Sequence, residues 1–313
     1  MLGQCHQTPM KEPDEGELGD LVWEDPDEPE WAAGHGDLEL VKQIRARNPS
    51  LPWNPFCCEN AARYGHLHVL QWLRTNGCPW EEYTFSAAVR GGHWHVVLWL
   101  RSEGCPWGER ACAAAAGEGR FELLSWLRSE GCPWDVWTCA CAANGGHLDV
   151  LKWARTEQTP PCPWDETTCS SAAEAGHLDV LQWARSQGCP WDGSTCSAAA
   201  REGHLDVLQW AWLHGCPRNE EQSCVLASAY SQWATLHWLM RVVPSPPLAE
   251  IQRRFRYCAQ KQYYEALQWL ASHQVFEIRG DLRRWLNAVD QAGRCTLNRW
   301  LCSDLVQFIQ SYC

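Results

Sequence analysis

Apolar and polar positions along the chain repeat at a nearly constant interval. The clearest copy covers residues 176–185, Gly-His-Leu-Asp-Val-Leu-Gln-Trp-Ala-Arg, and is followed after two residues by Gly-Cys-Pro-Trp at 188–191. Within this copy Leu178, Leu181 and Ala184 lie three residues apart, beside a second apolar row. This spacing predicts a helix whose wide apolar face must be covered by neighbouring units.

The same string begins at a series of glycines, which we call the turn glycines. They are Gly36, Gly65, Gly92, Gly119, Gly146, Gly176 and Gly203, with weaker copies marked by Ser231, Gln262 and Gly293. The interval is 27 residues in most strong copies. A period of this size predicts a stacked array of small units, each buried by its neighbours. We therefore expect an all-α, helix-turn-helix solenoid of about ten short repeats.

A first, shorter helix is predicted before each turn glycine. In the copy that ends at Gly176, Asp165 and Thr168 can offer side-chain oxygens to the free amides at the helix start, and Ala172 lies on the packed side. Glycine ends this helix because it adopts the left-handed conformation without a penalty, and Pro190 prevents the second helix from continuing. Each unit is thus predicted to be a helix, a tight turn, a second helix and a short loop.

Tryptophan recurs at two positions of the repeat, once in the second helix and once in the loop. Because a buried aromatic ring hides about 150–250 Å² of surface, we expect two buried columns that dominate the core energetics. The second-helix column comprises Trp72, Trp99, Trp126, Trp153, Trp183, Trp210, Trp238, Trp269 and Trp300, and the loop column comprises Trp53, Trp80, Trp107, Trp134, Trp164 and Trp191.

The repeat resembles the two-helix core of the ankyrin family. The string close to Ala-Ala-x-x-Gly-His-Leu-Asp-Val-Leu-x-Trp-Leu appears at 61–73 and again at 172–184, and the resemblance covers roughly residues 32–302. A threonine near the first-helix start completes the match, as in Thr84 and Thr195. An ordinary ankyrin repeat has about 33 residues and a β-hairpin finger that joins it to the next. The repeats here mostly have 27 residues, and Cys-Pro-Trp takes the place of the finger. The array is similar to the shortened ankyrin arrays of protists, algae and large DNA viruses, which implies reduced or absent fingers.

Charge and composition divide the chain into three parts. Residues 12–30 contain ten acidic and no basic side chains, which predicts an acidic, disordered tail over 1–31. About eight ankyrin-like repeats are expected over 32–243, followed by degenerate repeats and a cap over 244–313. The N-terminal stretch has no signal-peptide pattern and no run could span a bilayer, so we expect an intracellular, cytoplasmic protein, with the nucleus as the alternative.

Twelve of the 19 cysteines recur at two repeat-matched positions. Because no export signal accompanies them, we interpret them as reduced, packed thiols. A cysteine pair seven residues apart, such as Cys189 and Cys196, does not have the short spacing of a zinc site, and Phe85 replaces one cysteine of the series. The local pairs Cys57-Cys58 and Cys139-x-Cys141 keep a thiol-rich metal-binding or redox protein as an alternative interpretation.

The sequence predicts that the protein is not an enzyme. Histidines such as His66 and His177 occupy the turn where ankyrin-like repeats use this residue to bridge backbone groups, and no nucleophile or acid recurs beside them. We expect no cofactor, metal, small-molecule substrate or membrane. The basic C-terminal end, with Arg253, Arg254 and Tyr257 among its residues, leaves nucleic-acid binding as a further alternative, which the sequence pI of about 5.4 disfavours.

Variable positions of a repeat array are expected to face its partner, in this case an unidentified protein. Two sets vary between copies: the residues just before each turn glycine and the residues after each Cys-Pro-Trp. By resemblance to ankyrin arrays, both sets should line the concave face, where aromatic side chains beside arginine are typical binding hot spots. The predicted binding residues are Arg63, Tyr64, Tyr83, Arg90, Arg110, Glu118, Trp137, Glu174, Arg201 and Tyr230.

Overall fold

A computed structural model describes residues 28–50, 52–230 and 232–243 of the chain. These residues form 16 helices and contain no strand, which confirms the predicted all-α fold class and the absence of hairpin fingers for this part of the chain. The helices are α1 (Pro29–His35), α2 (Leu38–Arg47), α3 (Phe56–Arg63), α4 (Leu67–Thr75), α5 (Glu82–Gly91), α6 (Trp94–Ser102), α7 (Glu109–Gly117), α8 (Phe121–Ser129), α9 (Val136–Asn144), α10 (Leu148–Thr156), α11 (Glu166–Glu174), α12 (Leu178–Ser186), α13 (Gly193–Glu202), α14 (Leu205–Leu213), α15 (Glu220–Ala229) and α16 (Trp233–Val242).

The helices form eight pairs, in which the odd-numbered members are the first helices and the even-numbered members the second helices. The chain divides into two compact units, residues 1–138 and 139–313, with the division inside α9. In unit one α3 packs on α5 and α5 on α7, and in unit two α11 packs on α13 and α13 on α15. Within each unit these first helices thus contact the next first helix along the chain, which is the packing of a helical repeat protein.

The ends of the predicted regions differ from or lie outside the observed helices. Helix α1 begins at Pro29, so residues 29–31, which the sequence analysis assigned to the acidic tail, are helical, and Glu30 is buried. The rest of the predicted tail and the predicted cap over 244–313, with its basic residues, lie outside the described residues.

Helix starts follow the predicted capping only in part. The carboxylate of Asp165 accepts the backbone N–H of Thr167 at 3.0 Å, as expected of an N-cap aspartate. The predicted second cap, Thr168, is wrong: its hydroxyl is buried and bonds to no other group. Because the aspartate already serves the first turn, the threonine at this position contributes packing and not capping.

The core consists of small and aliphatic side chains rather than of tryptophan. Pairs such as Ala172 and Ala173 on first helices, and Val180 and Leu181 on second helices, are fully buried. The predicted burial of the tryptophan columns is wrong, since all described members except Trp153 are only half-buried. Short side chains allow the first helices to approach closely, and this close approach leaves the large rings at the margin of the interface.

Each loop tryptophan bridges two repeats at this margin. The guanidinium of Arg185 lies 4.1 Å from the ring centroid of Trp191, which meets Trp210 of the next repeat edge-on at 5.9 Å. The same order of arginine, loop tryptophan and second-helix tryptophan recurs with Arg74, Trp80 and Trp99. Cation–π and edge-to-face contacts each stabilise a fold by about 0.5–1.5 kcal/mol, so the columns join consecutive repeats although they stay half exposed.

The turn histidines reach back to the preceding repeat. His66 Nε2 lies 3.0 Å from the carbonyl oxygen of Gly34, and the ring of His93 is hydrogen-bonded to the backbone of Arg63. A Cβ atom on Gly65 would stand 2.6 Å from Nδ1 of His93, so the histidine ring fills the space that glycine leaves open. This agrees with the predicted role of histidine in bridging backbone groups between copies.

We expect acid to weaken this histidine contact. Burial lowers the pKa of His66 and of His93. A lowered pKa means that the folded chain resists protonation, so the stabilisation is complete above the ordinary histidine pKa of about 6.5 and is lost as the pH falls from there through the lowered values. Urea unfolding of the native chain should therefore show a lower free energy of unfolding at about pH 5.5 than at about pH 7.5.

The control is the double variant His66→Gln with His93→Gln, since Gln232 occupies the equivalent position in the last described repeat. Glutamine keeps a hydrogen-bonding side chain but does not titrate. The variant should lose less stability than the native chain over the same pH range. An identical loss in both proteins would show that these histidines do not carry the effect.

Candidate protein-binding surface

All ten predicted binding residues lie on first helices or on the residue that caps them. We call the exposed side of the first helices the first-helix face. Tyr83, Arg110 and Trp137 are the second residues of α5, α7 and α9, and the other seven lie at the opposite, C-terminal ends. Six of these ten residues are exposed and four are half-buried.

In unit one, large side chains at the helix starts are open to solvent. Tyr83 is 48% exposed and Trp137 is 54% exposed. The guanidinium carbon of Arg110 lies 4.7 Å from the ring centroid of Tyr83, so the arginine of one repeat covers part of the tyrosine of the preceding one. Such a stacked guanidinium is held in place by the ring.

Phe56 belongs to the same series and was missed by the sequence analysis. It begins α3 and is 48% exposed. Like Tyr83, Arg110 and Trp137, it lies nine residues before its turn glycine, and this constant spacing could have identified it. The loop before it contains Pro-Trp without the usual cysteine, which concealed the register. We call Phe56, Tyr83, Arg110 and Trp137 the aromatic column.

Small residues lie one helical turn after the aromatic column. Ala87 and Ala114 are each 6% exposed and follow Tyr83 and Arg110 by four residues, on the same side of their helices. Because these side chains end at Cβ, a bound chain could come close to the helix surface beside the large rings. The first-helix face of unit one thus combines projecting aromatic side chains with small alanine side chains between them.

The C-terminal ends of the first helices in unit one carry the predicted charged group. Burial raises the pKa of the Glu59 carboxyl, and the guanidinium groups of Arg63 and Arg90 act against this rise. These two arginines therefore share an acidic neighbour within the face. Tyr64, which caps α3, and Glu118, which caps α7, are exposed beside them.

The predicted residues of unit two interact mainly with one another. Arg201 forms ion pairs with Glu174 and with Glu202, the latter at 2.7 Å, and its guanidinium carbon lies 6.0 Å from the ring centroid of Tyr230. The positions equivalent to the aromatic column hold Thr167 and Ser194. No described first helix that begins in unit two thus has a large exposed ring at its start, and Tyr230 is the only exposed aromatic side chain at the other end of these described helices.

A second exposed apolar group lies on the second helices of unit one. Trp94, Leu98 and Phe121 are between about one third and one half exposed. The Trp94 ring meets that of Trp126 edge-on at 5.7 Å, which covers one side of it. Trp94 and Phe121 occupy the position of Leu178, for which the sequence predicts a covered apolar face, whereas Leu98 stands where other repeats have polar residues such as Gln71.

Other kinds of site find little support in the described residues. None of their 14 cysteines forms a disulfide, and no group of three or more histidine, cysteine or acidic side chains is arranged to hold a metal ion. No helix of the described ranges is long and apolar enough to cross a bilayer.

Comparison with known proteins adds no relative. No protein-family model matches the chain, and no curated protein matches it.

Proposed function

We propose that the protein is a non-catalytic scaffold or adaptor that binds a partner protein on the first-helix face of unit one. The resemblance to ankyrin repeats favours this function, since such arrays hold partners on the same side. A cytoplasmic location is part of the proposal, because reduced thiols persist where glutathione is abundant.

The observation that carries the proposal is the aromatic column. Phe56, Tyr83 and Trp137 expose about half of their surface at matched positions, where unit two has small polar residues. Exposed aromatic side chains in register with an arginine have the composition of a binding hot spot. Three exposed rings of this kind lower the solubility of the protein, and a partner that covers them would remove this effect.

The chemistry of the column indicates the kind of segment it would bind. Apolar side chains of the partner can enter between the rings and pack on the small side chains of Ala87 and Ala114. We therefore propose a partner segment whose apolar side chains fill the space between the rings.

The helical repeats supply rigidity. Packed first helices hold the column in place before binding, so little conformational entropy is lost when the partner docks. The buried alanines and leucines then determine the framework, and the column determines which partner is held.

Affinity capture from a native lysate tests this function. The intact chain is compared with a triple variant that carries Phe56→Ala, Tyr83→Ala and Trp137→Ala, and bound proteins are identified by mass spectrometry. Gln71→Ala, an exposed change on second helix α4, is the matched control. A partner that the intact chain and the control retain and the triple variant loses would support the proposal. Equal capture by all three would refute it.

A further inference from the structure

Each loop cysteine is bonded to the start of its own repeat. The thiol of Cys132 donates to the carbonyl oxygen of Gly108 at 3.2 Å, and that of Cys216 donates to the carbonyl of Asp192 at the same distance. The carbonyl of Gly108 also accepts the N–H of Ala111, inside the first turn of α7. The loop thiol therefore lies beside the residue that follows, which is Cys112.

The same arrangement brings two thiols together in five repeats. In each, the first-helix cysteine and the loop cysteine are fully buried or nearly so, and their side chains are hydrogen-bonded to each other. The pairs are Cys58 with Cys78, Cys112 with Cys132, Cys139 with Cys162, Cys169 with Cys189, and Cys196 with Cys216. The neighbouring Cys57 is also bonded to Cys78 and counts as an equivalent partner of that thiol. Zinc is not indicated, because a pair supplies only two ligands, whereas a structural zinc site requires four.

One repeat provides an internal exception. Cys105 occupies the loop position and its thiol lies 3.6 Å from the carbonyl oxygen of Glu81, but Phe85 stands where the other repeats have the second cysteine. Burial raises the pKa of Cys105 to about 12. This repeat has the same geometry without a second thiol.

Charge favours a reactive loop sulfur in the pair of Cys112 and Cys132. The hydrogen bond from Cys112 and the nearby guanidinium of Arg128 both lower the pKa of Cys132. Arg128 also donates to the carbonyl oxygen of Cys132, which holds the guanidinium close to the pair. The residues on either side of Cys132, Gly131 and Pro133, are exposed, so a small reagent needs only a local opening of the loop to reach the thiol.

We propose that these five thiol pairs are two-electron redox sites, each of which closes to an intrarepeat disulfide on reaction with a small-molecule disulfide. One thiolate of the pair, which is the loop thiolate in the pair of Cys112 and Cys132, attacks one sulfur of the reagent and expels one thiolate, which leaves a mixed disulfide. The other thiol of the pair then loses its proton and attacks the protein sulfur of the mixed disulfide, and the second reagent thiolate leaves. Overall, two protein thiols are oxidised to one disulfide and one reagent disulfide is reduced to two thiols.

The probe is a dipyridyl disulfide, added to the native full-length chain after complete reduction and removal of reductant. A pair that closes should release two pyridinethiones and retain no adduct, and the protein should lose about 2 Da for each closed pair. A lone thiol releases one pyridinethione and keeps the adduct. Peptide mapping after alkylation should find crosslinks within the five pairs, while Cys105 appears as an adduct or as an alkylated thiol.

Two variants keep the test decisive. Cys132→Ala should abolish the crosslink to Cys112 and leave the other four unchanged. Phe85→Cys places a thiol opposite Cys105 and should add a sixth crosslink, between positions 85 and 105. Crosslinks between non-partner cysteines, separate adducts on both members of a pair, or no reaction at any pair would each overturn the proposal. None of these results depends on partner binding at the first-helix face.

Discussion

Replacing Gly176 with alanine is expected to lower the free energy of unfolding by about 3 kcal/mol, whereas the same change at Gly188 should cost about 1 kcal/mol. Both glycines have left-handed backbones, with φ of 78° and 82°, so alanine carries a similar conformational cost at either position. They differ in their surroundings. A Cβ on Gly176 would lie 2.6 Å from Nδ1 of His204, while a Cβ on Gly188 would meet no atom within 4 Å.

Urea unfolding of the native chain and the two single variants measures this difference. The extra loss at Gly176 has a specific cause, since the histidine ring of the next repeat must move to admit the methyl group. Equal destabilisation by the two changes would contradict the account, because it would mean that the contact between repeats does not limit the turn.

Removing the rings of the aromatic column is expected to abolish measurable partner binding. Tyr83→Ala and Trp137→Ala should each weaken the complex by about 2 kcal/mol, or roughly 30-fold, as is typical of aromatic hot spots. The two positions lie two repeats apart, so their effects should add to about 1,000-fold in the double variant. Calorimetric titration with the captured partner measures these affinities.

The controls for this prediction separate binding from folding. Gln71→Ala should change affinity less than about threefold, and the urea midpoints of all variants should stay close to that of the native chain, since the altered rings are exposed. A double variant that binds as tightly as the native chain would place the binding surface elsewhere. The exposed group of Trp94, Leu98 and Phe121 would then be the next surface to test.

The helical framework could be predicted from the sequence because its signals are local. Turn glycines and the proline after each loop cysteine fix where helices end, whatever lies around them. The pairing of helices and the all-α class follow from this punctuation and from the period. The capping role of Thr168 was predicted wrongly because Asp165 competes for the same first-turn amides, and a sequence does not show which side chain wins.

Burial and side-chain partners were harder to predict because they depend on how closely the repeats approach. The sequence shows that Trp191 recurs at a regular position, but not that alanine-lined first helices displace it to the margin. The thiol pairs were missed for a related reason. Cys112 and Cys132 belong to two separate columns in the sequence, and they meet only because the loop returns to the start of its own repeat.

The exposure of several predicted binding residues could be predicted from the sequence, but their side-chain contacts could not. Variation between copies led to Tyr83 and Trp137, which the structure exposes on the first-helix face. The same reasoning led to Arg201, which forms ion pairs with Glu174 and Glu202 within the protein. An arginine and its acidic neighbour in the preceding repeat are 27 residues apart, and variation alone does not reveal whether they pair.

Site-specific photo-crosslinking tests the central claim most directly. Benzoylphenylalanine is placed at Tyr83 in one version of the chain and at Gln71 in another, and both are irradiated in a native lysate. The account predicts a crosslinked protein partner from position 83 that is absent from position 71, with the crosslink lost when Phe56→Ala and Trp137→Ala are added. Crosslinking that is equal at both positions, or found only at position 71, would contradict binding at the first-helix face.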